Sequence, residues 1–239
     1  MQGLLLTLVC GRSMGGLQVG DKDSFVPEKQ LRRVDAKGVQ NETAERIITT
    51  SIRLFSRYGY DGTSTTAVAR ESGVSQPTIH YHFSDKMTLW KRAMRHMLWN
   101  MTKDNSYTET LLGEKDPLKR LRLRMIALME AVRVHKAFGR VVMLEGISGG
   151  PRLNWLIKEA LSPFYDQFVA DIEECQASGR MRKVEVPKLV IILHSVATMY
   201  HNVAPLVREA FNEDPSDMVE TERYQKMALD IVFKGLAPE

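Results

Sequence analysis

Ser64-Thr65-Thr66-Ala67-Val68-Ala69-Arg70-Glu71-Ser72-Gly73-Val74-Ser75-Gln76-Pro77-Thr78-Ile79-His80-Tyr81-His82-Phe83 is the stretch whose reading decides the fold. Ser64 and Ser75 each stand where a hydroxyl can accept from the free N–H groups of a first helical turn, so each opens a helix. Gly73 ends the earlier one, because glycine takes a positive φ without a Cβ penalty. The link Ser72-Gly73-Val74-Ser75 is then a tight turn between a short helix carrying Val68 and Ala69 and another running to about Phe83. Upstream, Ala44, Ile47, Ile48, Ser51, Ile52 and Phe55 follow helical spacing, from a cap at Asn41 to a stop at Gly59.

Downstream the same periodicity continues, and no run past position 40 shows sustained period-two alternation, so the predicted fold class is all-α. A fourth helix starts at Ser84 or Asp85 and passes Trp99, with Trp90, Met94, Met97 and Met101 on one stripe. A break at Gly113 to Pro117 precedes an amphipathic helix with Leu118, Leu121, Met125, Leu128 and Val132. Phe138 to Ile147 is of mixed character and ends in the loop signal Ser148-Gly149-Gly150-Pro151. Helical spacing resumes through Leu156, Ala160, Phe164, Phe168 and Ile172, with a kink or junction at Pro163 and an end at Gly179. Two long helices close the chain, Pro187 to Phe211 and Ser216 to Leu236, hinged at Asn212 to Pro215.

Charge is unevenly spread. Glu28 to Arg92 holds eleven Lys or Arg against seven Asp or Glu, which accounts for the whole formal charge of +4 of the 239 residues. An anionic partner is therefore expected at the first part of the chain. Cys10 and Cys175 lie far apart and without CxxC spacing, which fits a reducing compartment and suggests neither a disulfide framework nor a thiolate metal site. Leu4 to Cys10 is apolar like a secretory core but has no Lys or Arg before it and is too short to span a bilayer. The expectation is an over-extended start with Met14 shortly after it, a disordered 1–40 extension, and no membrane; Lys29, Arg32, Arg33 and Lys37 in that extension form a basic arm or a solvated tail.

Paired short helices with a tight glycine turn make a helix-turn-helix, whose second helix enters the major groove. From Asn41 to about Leu89 the chain resembles the DNA-binding domain of the tetracycline-repressor (TetR) family. The resemblance rests on Ala44-x-x-Ile47, Leu54-Phe55-x-x-x-Gly59-Tyr60, Thr63-Ser64-x-x-x-Val68-Ala69, Gly73-Val74-Ser75 and Thr78-Ile79-x-x-x-Phe83-x-x-Lys86. It implies a DNA-binding domain over 41–89 and, over 90–239, a helical effector-binding and dimerisation domain. Ile47, Phe55, Val68, Ala69, Val74, Ile79 and Phe83 are the expected apolar seam.

Gln76 and Thr78 can hydrogen-bond base edges, and Pro77 and the Thr78 methyl can touch a thymine methyl. Gln76-Pro77-Thr78 is also the tripeptide of the family's namesake. By the same resemblance Thr65 and Thr66 face DNA, Ser64 being mainly a cap, and Lys86 matches a phosphate-binding lysine, with Tyr81 and His82 as further contacts. The family usually has Tyr at the position of His80; a neutral imidazole can donate one hydrogen bond to phosphate and a protonated one adds charge, so pH-sensitive affinity is an expected consequence.

In the second part, Leu189, Leu193, Val196, Tyr200 and Val203 give one stripe and Val190, His194, Ala197 and His201 another, so that helix has two things to cover. The family pairs subunits through its last two long helices and binds an inducer among the others. Met97, Met101, Met125, Met129, Trp155, Phe164, Phe168, His194, Met199 and His201 are candidates to line an effector site, or ordinary core. His194 and His201 are too far apart for an i, i+4 metal pair, so no metal and no cofactor are expected. The function expected is a cytoplasmic, homodimeric transcriptional regulator that binds a palindromic double-stranded DNA operator and is released by a small apolar effector. A DNA-organising or protein-partnered regulator without an inducer is an alternative. A helical enzyme is a remote one, since HExxH, paired ExxH, P-loop and GxSxG are missing from the sequence.

Overall fold

A side-chain hydroxyl or carboxylate caps several of the helices, and a residue of positive φ follows the end of several. The computed structural model describes residues 38–103 and 108–238, every element among them helical. The expectations for Leu4 to Cys10, Met14 and the arm of Lys29, Arg32, Arg33 and Lys37 lie outside the described residues. The chain divides into two compact units, with the division at Leu98 and Trp99.

The first unit contains α1 (Gly38–Tyr58), α2 (Thr65–Ser72), α3 (Gln76–His82) and most of α4 (Lys86–Lys103). Asn41 is not the cap it was expected to be: α1 begins before it, at Gly38. No proline interrupts positions 38–40, and an asparagine inside a helix costs only up to about 0.7 kcal/mol relative to alanine, so the helix runs backward through it. Ser64 does cap α2, its Oγ accepting from the Ala67 N–H at 3.0 Å. Gly73, at φ 65°, closes it. The Gly73 N–H donates to the Arg70 carbonyl at 3.2 Å and the Val74 N–H to the Ala69 carbonyl at 3.0 Å, the paired bonds of a Schellman ending.

Ile47, Phe55, Val68, Ala69, Ile79 and Phe83 are buried together with Leu89, Trp90 and Met94 of α4. Val74, expected in that seam, is only half-buried, because it sits in the turn rather than on a helix face. Each fully buried aliphatic side chain here contributes roughly 1.5–3 kcal/mol. Two polar ties fix α1 against α2: Arg46 Nε donates to the Ser72 carbonyl at 3.0 Å, and Arg53 pairs with Glu71 at 2.9 Å.

The second unit continues with α5 (Thr108–Gly113), α6 (Pro117–Val134), α7 (Lys136–Ser148), α8 (Pro151–Leu156), α9 (Ser162–Ala177), α10 (Val186–Asn202), α11 (Ala204–Phe211) and α12 (Met218–Gly235). Its core gathers Leu121, Met125, Leu128, Met129 and Val132 of α6, Phe168 and Ile172 of α9, Leu189, Leu193 and Ala197 of α10, and Ala228 and Leu229 of α12. The mixed segment from Phe138 to Ile147 belongs to α7, where Gly139 and Gly146 dilute the apolar period. Pro163 is a junction, as expected: the five residues Ile157–Leu161 between α8 and α9 form a π-turn. The wider turn answers the missing N–H of proline and the clash of its ring with the carbonyl of Glu159, four residues back.

The expected long helix from Pro187 to Phe211 is a correction. It breaks at Val203, and α10 and α11 meet at a bend of 69°. Pro205 has no N–H to give the His201 carbonyl, so the α-helical ladder cannot continue through it. Asn212, at φ 54°, then ends α11 inside the expected hinge.

Asp171 is the electrostatic fastener of α9 to α6. Its side chain is 3% exposed and accepts from Arg120 Nε at 2.5 Å and from Arg124 Nε at 2.8 Å. Losing one partner of such a buried pair costs about 3–5 kcal/mol, because the other charge stays buried without compensation. Asp171→Ala is therefore expected to lower the melting temperature of the second unit by several degrees in calorimetry, and a variant that melts with the parent would contradict this role.

Candidate nucleic-acid interface

Thr65 opens α2 half-buried and Thr66 follows it exposed. Thr66 Oγ1 donates to Gln76 Oε1 at 3.2 Å, so the first turns of α2 and α3 meet through two of the residues proposed to read or hold DNA. Gln76 and Pro77 are exposed. Thr78 is half-buried, with its N–H on Ser75 Oγ at 3.4 Å and its hydroxyl 2.8 Å from the same oxygen. Ser75 thus caps α3 as expected and also fixes the Thr78 rotamer. Ile79 is fully buried and anchors the other side of α3. A seven-residue helix is too short to persist alone, so this face is held by its caps and by Ile79.

His80 and Tyr81 point outward, Tyr81 at 74% exposure, while His82 is half-buried and meets the Tyr81 ring edge-on at 5.1 Å. His80 Nδ1 lies 3.5 Å from the Ser84 carbonyl oxygen. A carbonyl only accepts, so in this contact Nδ1 is the donor.

Lys86 opens α4 with its Nζ 4.2 Å from the centre of the Tyr60 ring. Tyr60 stacks on Phe55 at 5.9 Å and meets Trp90 edge-on at 6.3 Å, so a column of core aromatics carries the ring that supports the lysine. In the sequence Tyr60 stands only as part of the Leu54-Phe55-x-x-x-Gly59-Tyr60 motif. The signal was there in the aromatic after Gly59, but its task depends on where α4 begins. Removing Lys86 is expected to weaken all DNA sequences alike and to lower the salt dependence of binding by about one counterion. Tyr60→Leu keeps the apolar packing and the charge; it is expected to reduce affinity about two- to fivefold, the size of a surface cation–π contact, with the salt slope unchanged. Filter binding across a salt series separates the two results.

The effector candidates are spread over the second part of the chain. Met125 and Met129 are fully buried in the core with Phe168, and Phe164 packs against it. Phe164 also meets Phe168 ring to ring at 5.0 Å. His194 lies half-buried with Nδ1 3.3 Å from the Tyr165 hydroxyl, and burial holds its pKa below the ordinary value. Tyr165 was not singled out from the sequence. His201 is buried and its Nδ1 stands 3.0 Å from the Pro215 carbonyl oxygen. Met101 and Trp155 are half-buried, Met199 is 46% exposed, and Met97 is buried within the first unit.

On α10 both expected stripes contribute to the core through Leu189, Val190, Leu193, Ala197 and His201. A further face leaves Ile191, Ile192 and Met199 exposed, and α12 leaves Met227 and Ile231 exposed.

Comparison with known proteins agrees with this arrangement. Residues 47–93 match the family described as "Bacterial regulatory proteins, tetR family", and residues 117–232 match "Tetracyclin repressor-like, C-terminal domain". The HTH-type transcriptional regulator RutR of Escherichia coli is 23% identical over 212 residues, covering 88% of this chain and 95% of RutR. The uncharacterized HTH-type transcriptional regulator YerO of Bacillus subtilis is 36% identical over 108 residues, covering 45% of this chain and 37% of YerO, so this match spans little more than a third of that protein. Among solved structures, the ketosteroid transcriptional regulator KstR2 of Mycobacterium tuberculosis has a TM-score of 0.64 at 17% identity, covering 86% of this chain and 98% of that one. The transcriptional regulator FadR of Bacillus subtilis in complex with stearoyl-CoA has a TM-score of 0.59 at 15% identity, covering 80% and 98%. Those two likenesses show the fold. With both of its domains matched, and with the capped turn between α2 and α3 in place, the chain belongs to the TetR family of helix-turn-helix transcriptional regulators.

Proposed function

We propose that this regulator is a homodimeric repressor that holds a palindromic operator and lets it go when a small, largely apolar effector binds the second domain. The observation that carries the reading is the outward polar face of α3 and the start of α2, held rigidly by the Ser64 and Ser75 caps and the Gly73 turn. In this reading Gln76, Pro77 and Thr78 contact bases. Thr65, Thr66, His80, Tyr81, His82 and Lys86 set the helix on the backbone. The domains are assigned as 41–89 for DNA and 90–239 for effector binding and dimerisation, with 1–40 as an extension.

The exposed Ile191, Ile192 and Met199 of α10 and Met227 and Ile231 of α12 support pairing through those helices, since apolar faces of this kind normally meet a partner. Two-fold pairing places two α3 helices at half-sites about 34–36 Å apart. The aromatic and methionine cluster of Met125, Met129, Phe164 and Phe168, with the polar His194 and His201, supports an effector that is apolar over most of its surface. FadR was solved with a fatty acyl thioester and KstR2 is described as a ketosteroid regulator, which supports the same class of partner here. Binding works as release if the effector prefers the conformer whose headpieces no longer match the operator. No single helix among the described residues is long and apolar enough to cross a membrane, and Leu189 and Leu193 of the bent α10 and α11 pair lie in the core.

Incubation with fragments of the region upstream of its own gene is expected to retard one of them in a gel at low salt. No retardation of any fragment would end the operator reading. Thr78→Ala is expected to cost roughly 1–3 kcal/mol on the operator and little on unrelated DNA, so equal losses on both would remove Thr78 from the base contacts. Ile192→Asp combined with Ile231→Asp is expected to turn a dimer into a monomer in sedimentation, and an unchanged dimer would move the interface elsewhere.

A further inference from the structure

His201 and Asn202 form the last turn of α10, just before the bend into α11. His201 is 1% exposed. Its Nδ1 faces the Pro215 carbonyl at 3.0 Å, and a carbonyl can only accept, so Nδ1 carries the proton. Burial, above all, holds the imidazole below its ordinary pKa, and at neutral pH the ring therefore keeps that single proton. Nε2 is left as a bare lone pair. Among the described residues no donor reaches Nε2, and none reaches the buried Oδ1 of Asn202.

Two buried acceptors on consecutive residues are costly when left unmade. Asn202 Oδ1 sits so close to α7 that a Cβ on Gly139 would stand 2.6 Å from it. Glycine at 139 is what lets the amide approach there. The charged groups around His201 are Glu130 and Arg133 of α6 and Lys136 of α7. Glu130 is taken by Arg133, whose Nε donates to it at 2.8 Å, and Lys136 Nζ donates to Ser216 Oγ at 2.7 Å. From the α12 side, Thr221 donates its hydroxyl to the same Pro215 carbonyl at 3.4 Å and so is not aimed at Nε2. The local charge is thus a surplus of one cation, which disfavours an ammonium ligand, while two bare acceptors repel a carboxylate or phosphate.

We infer that His201 and Asn202 are the polar end of the effector site, and that they select an uncharged molecule presenting an N–H or O–H donor on an apolar body. Nε2 accepts from that donor, and Asn202 Oδ1 accepts from a second N–H where the ligand carries one, as a primary amide does. This rests on the effector reading above and sharpens it, because an apolar molecule without a donor leaves the acceptor buried and unmade.

The test uses the full chain labelled with 15N-histidine and three matched pairs of compounds: indole and 1-methylindole, 2-naphthol and 2-methoxynaphthalene, benzamide and N,N-dimethylbenzamide. Benzylamine serves as the cationic control. In at least one pair the donor compound is expected to bind about tenfold or more tighter than its capped twin in calorimetry, the size of one good hydrogen bond in a buried site. The same compound is expected to move the pyridine-type nitrogen resonance of His201, and benzylamine is not. His201→Phe, which supplies the resonance assignment, is expected to erase the preference while retaining the apolar binding.

Equal binding within every pair overturns the inference. So does donor binding that leaves the His201 resonance unmoved, or a ligand-free spectrum in which Nε2 already accepts from a trapped water. The affinity ratios within the pairs come from the unsubstituted protein and stand even if the His201→Phe chain does not fold, in which case His201→Gln supplies the resonance assignment. Operator release in a gel by any of the six compounds with His201 unmoved overturns this inference and keeps the effector reading. No binding and no release by any of them overturns both.

Discussion

The left-handed turn at Gly73 is the constraint on which the DNA-binding half depends. Its φ of 65° lets the chain leave α2 and begin α3 within three residues, and the two N–H groups at the turn satisfy carbonyls that α2 would otherwise leave open. A Cβ there would meet nothing within 4 Å, so space is not what requires glycine. The backbone is: the left-handed region costs a residue with a Cβ roughly 1–2 kcal/mol. Through this turn the angle between α2 and α3 becomes a property of the backbone, and the Thr66 to Gln76 hydrogen bond joins the two helices at the face proposed to meet DNA. Arg46 closes the same corner from α1 by donating to the last carbonyl of α2.

Rigidity of that face follows from what lies beneath it. Phe55, Tyr60 and Trp90 form an aromatic column from α1 to α4, and Lys86 sits at its outer end. A lysine that would otherwise sample many rotamers is thereby given a preferred place, which reduces the ordering cost of the phosphate contact proposed for it. Ile79 does the corresponding work for α3, pinning its inner side so that Gln76, Pro77 and Tyr81 are turned outward.

The second unit solves a different problem. It must hold α6, α9, α10 and α12 around one core while keeping parts of that core polar. Asp171 binds α9 to α6 through two arginines, and Pro163 and Pro205 each interrupt a helical ladder nearby. One interruption becomes a π-turn and the other a 69° bend. Proline removes a donor in both cases, but at Pro163 the surrounding helix absorbs the loss by widening, whereas at Pro205 the chain changes direction and leaves His201 and Asn202 at the corner.

Much of this was legible in the sequence because it is local. Ser64, Gly73 and Ser75 act on their own turn and would do so in any context, so α2, α3 and the link between them could be read directly, as could the loop at Gly149 and Gly150 and the junction at Pro163. Asn41 was misread because an asparagine is tolerated inside a helix as well as at its start, and α7 was obscured because Gly139 and Gly146 interrupt an apolar period that packing nonetheless satisfies. The break at Val203 depends on whether a proline at the end of an apolar run kinks or stops a helix, which neighbours decide. Tertiary structure alone placed Tyr60 under Lys86, turned His80 Nδ1 toward Ser84, set Tyr165 beside His194 and left His201 Nε2 without a donor among the described residues. The physical division is one of range: caps, positive φ and missing N–H groups are properties of a few adjacent residues, whereas burial, ring contacts and the pairing of polar atoms exist only once distant segments meet.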